Sequence, residues 1–231
     1  IMAVAHTGTD SSGFVAGTDG STLTVSHTTP ADADCLFVNC ALGMYGTLPG
    51  FNGVTFNGVA MTLVTTTTET VSVDGSGHTS ASFVLVAPSI GTYDIVMTLS
   101  ANADSRGLFA SSWSGVHQTT PTEGGAIFDG TVDPVSVSPA TTTVNGDALV
   151  GLIAVTGLVS SVLCSDTAIG TEWKSSFADQ AHNAGYALST GAGNTLDWDK
   201  TSTIQHAGHL FVVKQTTGGA TTSPYYAYAQ Q

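Results

Sequence analysis

The stretch GVTFNGVAMTLV, residues 53–64, constrains the fold of this chain more than any other. Val54, Thr55 and Phe56 form one β-prone run and Val59 to Val64 the next, with only Asn57 and Gly58 between them. An Asn-Gly loop of two residues tolerates positive φ at both positions. It therefore closes a type I′ turn, whose twist matches that of the flanking strands. The local chemistry predicts an antiparallel β protein.

The rest of the sequence continues that pattern. Cys35 to Leu42, Ser80 to Ala87 and Ala148 to Val155 are almost unbroken apolar runs, as expected of central strands covered on both faces. Gly91 to Leu99 alternates, with Tyr93, Ile95, Met97 and Leu99 directed inward. Arg106 to Val116 and Gly208 to Lys214 read as two further strands, and Ser21 to His27 as a half-buried one. Ala3 to Val15 begins the fold weakly. Gly124 to Pro139 reads as a loop, because Pro134 and Pro139 exclude a central strand. A second Asn-Gly turn is expected at Asn145-Gly146. Strands recur every 8–12 residues or so between turn signals, with no sustained helical period, which is the signature of a sandwich or jelly roll.

The expected architecture is all-β: one antiparallel, jelly-roll-like sandwich over residues 1–215, followed by an extended Gly/Thr/Tyr tail over 216–231. Residues 31–43 and 144–157 echo each other, each an acidic turn followed by a two-sided apolar strand ending in Gly. Central strands of any sandwich converge on that pattern, so the echo alone does not establish duplication.

Charge excludes several partner classes. Lys and Arg total 4 against 17 Asp and Glu, a formal net charge of −13. Arg106, Lys174, Lys200 and Lys214 are too few and too scattered to displace counterions from a nucleic acid or to hold an anionic membrane. No apolar run reaches the roughly 18 residues of a membrane helix, and Ile1 to Ala5 lacks the basic start of a secretory leader. Charged residues are only 9% of the chain, against about 25% in ordinary soluble domains. Thr, Ser, Gly and Asn carry the polarity, and the positive mean hydropathy suggests that other chains cover part of the surface.

Motifs for chemistry are sparse. Cys35, Cys40 and Cys164 do not form a disulfide framework. Cys35 and Cys40 lie five residues apart in one strand, on opposite faces, and all three read as small core hydrophobes. The nucleophile-elbow pattern is absent. His206 and His209 stand three apart in a strand, on opposite faces, so a shared zinc is not expected, and they read as ordinary polar positions. Asp197 and Asp199 share one face, with Trp198 on the other. The two carboxylates could hold Ca²⁺ if loop carbonyls joined them, or form a glycan edge with the indole as platform. The plainer reading is a solvated face opposite a core Trp. Asp32 with Asp34, and Asp129 with Asp133, are similar loop pairs. Trp113 and Trp173 read as core. No cofactor is expected. Tyr225, Tyr226 and Tyr228 stand apart, because they lie in a tail too poor in apolar groups to form a core of its own. Aromatic rings there fit partner contact.

Several of these pieces, in this order, resemble the jelly-roll-like accessory domains of phage structural proteins, the capsid-decoration and head-fibre subunits, and of some bacterial surface proteins. They are residues 31–42, GVTFNGVAMTLV, VLVAPSIGTYDIVMTLS, GLFASSWSGVHQTTP, NGDALVGLIAV and AGHLFVVK. The resemblance implies a non-enzymatic module on a virion or cell surface. Its expected partners are copies of itself and a capsid or surface protein lattice, and it carries no catalytic residue across. A carbohydrate-binding or adhesin module is the alternative.

Overall fold

The computed structural model describes residues 2–69, 76–131, 133–156, 162–175, 180–200 and 206–216. The tail tyrosines Tyr225, Tyr226 and Tyr228 lie outside the described residues, as does the side chain of Trp173. All described regular structure is β, and all its pairings are antiparallel.

The first half of the chain supplies β1 (Ala5–Thr29), β2 (Cys35–Tyr45), β3 (Phe51–Phe56), β4 (Val59–Ala60), β5 (Thr62–Glu69), β6 (Ser76–Val86) and β7 (Gly91–Ser114). The second half supplies β8 (Thr122–Gly130), β9 (Val135–Val137), β10 (Ala148–Thr156), β11 (Val162–Cys164), β12 (Thr167–Ser175), β13 (Gln180–Leu188), β14 (Leu196–Lys200) and β15 (His206–Val213). The first sheet runs β4-β3-β7-β2-β6-β5, with β1 also paired to β7. The second runs β12-β13-β10-β15-β8, and a small third sheet runs β11-β14-β9.

Side-chain alternation sorts three cores between these layers. In β2, Leu36, Val38, Cys40 and Leu42 face a core within the first sheet, with Phe56, Ile95 and Met97. Cys35, Phe37 and Ala41 face the second sheet, where they meet Trp113, Val150, Leu152 and Phe211. In β10 the pattern repeats: the residues Ala148, Val150 and Leu152 join that inter-sheet core, while Leu149, Ile153 and Val155 face Trp198 and Leu196 of the third sheet. The unbroken apolar runs expected of central strands thus belong to strands with a core on each face. The thiols of Cys35 and Cys40 lie in different cores and both are free.

The Asn-Gly turn is as expected, with Asn57 at φ 51° and Gly58 at φ 75°. It closes the β3–β4 hairpin at the border of the first sheet.

Three readings require correction. The weak start at Ala3 to Val15 and the separate strand at Ser21 to His27 are one strand, β1, paired along β7 from Ala5↔Ser114 to Thr29↔Gly91. Its apolar pattern is thin because its register shifts at glycine-containing steps. Gly20 has a specific task. A Cβ there would come within 2.7 Å of the Arg106 Nη2 atom, and the buried guanidinium needs that space to reach the Thr22 and Ala103 carbonyls at 3.0 Å each. Second, Gly91 to Leu99 and Arg106 to Val116 belong to one strand, β7, through Ser114. The polar stretch between them continues the strand, and Ser100 N donates to the Gly50 carbonyl at 2.9 Å. Third, the expected loop at Gly124 to Pro139 contains most of β8 and all of β9. Ala126 and Phe128 turn inward while Ile127 is 58% exposed, an alternation that the neighbouring glycines obscure. Pro134 and Pro139 do lie outside the central strands.

Candidate functional site

His206 and His209 lie on opposite faces of β15, but neither is an ordinary surface position. His206 is buried on the side of the third sheet, where its Nδ1 lies 2.9 Å from Lys200 Nζ. His209 is buried against the first sheet, between two serines. Ser82 Oγ donates to Asn39 Oδ1 at 2.5 Å, so its hydroxyl accepts from His209 Nε2 at 2.6 Å. That assignment leaves His209 Nδ1 to accept from Ser80 Oγ at 2.9 Å. His78 and His182 pack edge to face, with ring centroids 6.2 Å apart. Burial pushes the pKa of His78 down to about 4 and that of His209 down to about 3. His182 is also lowered, by burial first and by His78 second. These three buried imidazoles are therefore neutral near pH 7. Ser80, Ser82 and His209 combine a base with hydroxyl groups, but all three are fully buried, so no substrate reaches them in this conformation.

The carboxylate pairs are placed as follows. Asp197 and Asp199 share one face of β14, and Trp198, on the other, is fully buried in the core beneath the third sheet. Trp198 therefore presents no aromatic face beside the two acids. Asp166 lies close by and accepts from Asp197 N at 3.0 Å. Its pKa is raised by burial first and by the charge of Asp197 to a smaller extent, against the amide bond. Among the described residues no three His, Cys, Asp or Glu side chains converge to hold a metal ion. Asp133 accepts from Lys200 N at 3.0 Å.

Asp34 serves the backbone. Its carboxylate accepts from Gly115 N at 2.8 Å and Val116 N at 3.3 Å. Asp147 does the same in the second sheet, accepting from Gln215 N and Val144 N at 3.1 Å each. The Val116 and Gln215 segments held in this way pair with each other through the Val116↔Gln215 bridge. His6 also joins the layers: its Nε2 lies 2.7 Å from Asp10 Oδ1, and its ring stacks on Tyr186 at 5.0 Å and meets the edge of Trp113 at 5.3 Å.

Two surface features remain. The β3–β4 tip and the Pro88–Gly91 turn are tied by a hydrogen bond from Asn57 Nδ2 to Ser89 Oγ at 3.3 Å. Together with the start of β7 they present Val59, Ile90 and Tyr93 at 50, 59 and 37% exposure; Tyr93, expected to point inward with Ile95, Met97 and Leu99, is exposed and meets buried Phe56 edge to face. Beside the third sheet, two adjoining hollows of about 270 and 310 Å³ share Ser138. The first is lined by the 138–143 segment and by residues 192–194, without a charged side chain. The second reaches Phe128, Pro134 and His206. Irregular segments about fifty residues apart wall the first hollow, whereas strand residues of β8 and β9, with His206 of β15, supply most of the second. No helix among the described residues is long and apolar enough to cross a membrane.

No protein-family model matches this chain, and no curated protein matches it.

Proposed function

We propose that this chain is a non-enzymatic structural protein, an accessory subunit of the capsid-decoration or head-fibre kind that binds a protein lattice at a virion or other extracellular surface. The observation that carries this reading is the braced apolar tip. Val59, Ile90 and Tyr93 are exposed around two turns fixed to each other. Apolar side chains held in a braced, solvent-facing arrangement are characteristic of protein contact surfaces. The inward placement of His78, His182 and His209 supports the same reading, since these three imidazoles are packed away from solvent. So does the scarcity of Lys and Arg, which favours a protein partner over a nucleic acid or an anionic membrane.

The alternative, a carbohydrate-binding or adhesin module, drew on Trp198 as a platform beside Asp197 and Asp199. With that ring buried, it draws on the hydroxyl-lined hollow at residues 138–143. The deciding experiment is co-sedimentation of the purified chain with particles from its source. Wild-type protein should pellet with the particles, and Val59→Ser with Ile90→Ser should stay in solution while melting as before. Equal pelleting of the double variant would remove the tip from the account.

A further inference from the structure

The space between the first and second sheets is divided by chemistry. Going away from the Val116↔Gln215 bridge, the inward residues of β6 are Val84, Ser82, Ser80 and His78. Those of β15 are Val213, Phe211 and His209. β2 keeps the same order, with Cys35 and Phe37 before Asn39, and in β13 Ala184 comes before His182. Apolar side chains therefore fill the half beside the bridge, around Trp113, Val150 and Phe211. Polar side chains fill the other half, where Asn39, His78, Ser80, Ser82, His182 and His209 are all fully buried.

The two halves are joined unequally. At the apolar end backbone hydrogen bonds lace the layers together: His117 N donates to the Lys214 carbonyl, Thr216 N to that of Gly115 and Val4 N to that of Gly146, each at 2.8 Å. At the polar end the layers meet through side chains. Ser80 and Ser82 of β6 reach His209 of β15, and His78 packs edge to face with His182 at 6.2 Å. Neither ring nitrogen of His78, nor Asn39 Nδ2, has a hydrogen-bond partner among the described residues. Buried polar groups left unpaired cost free energy, which contact with water relieves.

The ionisable groups that face this half are His78, His182 and His209 themselves. β2 turns Asn39 and Ala41 toward it, β7 Ser105 and Gly107, and β10 Leu152 and Ala154, none of them ionisable. Glu69 stands opposite His78 in the β5–β6 register, and in β12 Glu172 and Lys174 flank Trp173, the register partner of His182. The side chains of these four lie outside the described residues. Burial lowers the proton affinity of all three imidazoles, and no described carboxylate offsets it. A proton entering the closed body meets no counter-ion there, whereas in water the same imidazoles take protons below about pH 6.5. Falling pH therefore favours any state that wets this half.

We propose that the polar half is an acid-operated opening, at which the first and second sheets part around His78, His182 and His209 while the Val116↔Gln215 junction holds as the hinge. The core within the first sheet, which contains none of the three, stays closed. The inference is independent of the structural-subunit reading, because it concerns the state of the body and not what the body binds.

The test reads thiol accessibility with a dipyridyl disulfide, a reagent that reacts in acid. The full chain carries Ala41→Cys, at a buried position facing the polar half, and Cys164→Ser, which removes the part-exposed thiol. Cys40 faces the core of the first sheet and Cys35 the hinge half, so both serve as internal controls. Each histidine released into water raises the opening equilibrium up to roughly a hundredfold between pH 7.5 and pH 4.5. After correction for the reagent's own rate, labelling at position 41 should rise at least about a hundredfold over that interval, with Cys35 and Cys40 protected. His78→Leu should reduce the rise at least about tenfold. The unmodified chain gives a second readout: its radius of gyration in small-angle X-ray scattering should grow over the same interval while the far-ultraviolet β signal persists. Protection of position 41 at pH 4.5 would overturn the proposal, as would labelling of Cys40 in step with position 41 or a rise that His78→Leu leaves unchanged. Should Ala41→Cys fail to fold, scattering decides, and an unchanged radius at pH 4.5 overturns it.

Discussion

Asp34 and Asp147 hold matching positions in the two large sheets. Each immediately precedes a two-sided central strand, β2 or β10, and each carboxylate binds backbone amides just beyond the end of a neighbouring strand. The segments they bind meet at the Val116↔Gln215 bridge. Two acids distant in sequence therefore fix one junction between the sheets.

Removing either carboxylate leaves two backbone amides without their acceptor. Asp34→Ala and Asp147→Ala should each cost about 1.5–3 kcal/mol, the scale of hydrogen bonds to a charged group. The measurement is the urea midpoint at constant m-value. Because both acids serve one junction, the double variant should depart from additivity. Single losses below about 0.5 kcal/mol, well under that scale, would show that the clamps do not hold the sheets.

Acid should weaken the fold through the buried histidines. His78 and His209 have folded pKa values of about 4 and about 3, against about 6.5 in an unfolded chain. Well above pH 6.5 both states hold neutral imidazoles and the groups add no pH dependence. Below it the unfolded chain binds protons that the folded chain excludes, so stability falls as pH drops from about 6.5 toward about 4. Thermal melts across that range should show the decline, and His78→Leu should make it shallower. A melting temperature constant from pH 7 to pH 4 would contradict the buried, neutral assignment.

At the hairpin, a Cβ added to Gly58 meets nothing within 4 Å, so the constraint there is φ at +75° alone. Gly58→Val should destabilise by about 1 kcal/mol or more, seen as a lower melting temperature. Gly58→Asn should recover much of the loss, because Asn tolerates the left-handed region.

Metal removal should leave the fold intact. With His206 and His209 on opposite faces, and Asp197 and Asp199 opposite a buried Trp198, no set of ligands among the described residues braces the layers. Melting curves with and without a zinc-selective chelator, and with and without added Ca²⁺, should superimpose. A chelator-induced drop would contradict the strand-face argument.

The class of fold was legible in the sequence because period-2 alternation and Asn-Gly turns are local signals. The runs Cys35 to Leu42 and Ala148 to Val155 declared themselves two-sided by being almost continuously apolar. The length of β1 was not legible: a strand interrupted by Gly8, Gly13, Gly17 and Gly20 loses its alternation, and only its pairing with β7 reveals it. β8 was hidden for the same reason, with glycines at Gly124, Gly125 and Gly130. The opposite faces of His206 and His209 followed from strand parity. Their burial did not, because Ser80, Ser82 and Asn39, which accommodate His209, lie far away in sequence. The echo between residues 31–43 and 144–157 is matched by the shared roles of Asp34 and Asp147, a correspondence that emerges only once both strand ends are in place.

The central claim, that this chain serves as a structural subunit on a particle, is tested most directly by electron microscopy of native particles from its source, with the chain located by a specific antibody fragment. The account predicts fragment density at regular lattice positions on the particle surface, one layered β body beneath each. Bare particles, with the chain recovered only as free protein, would contradict it.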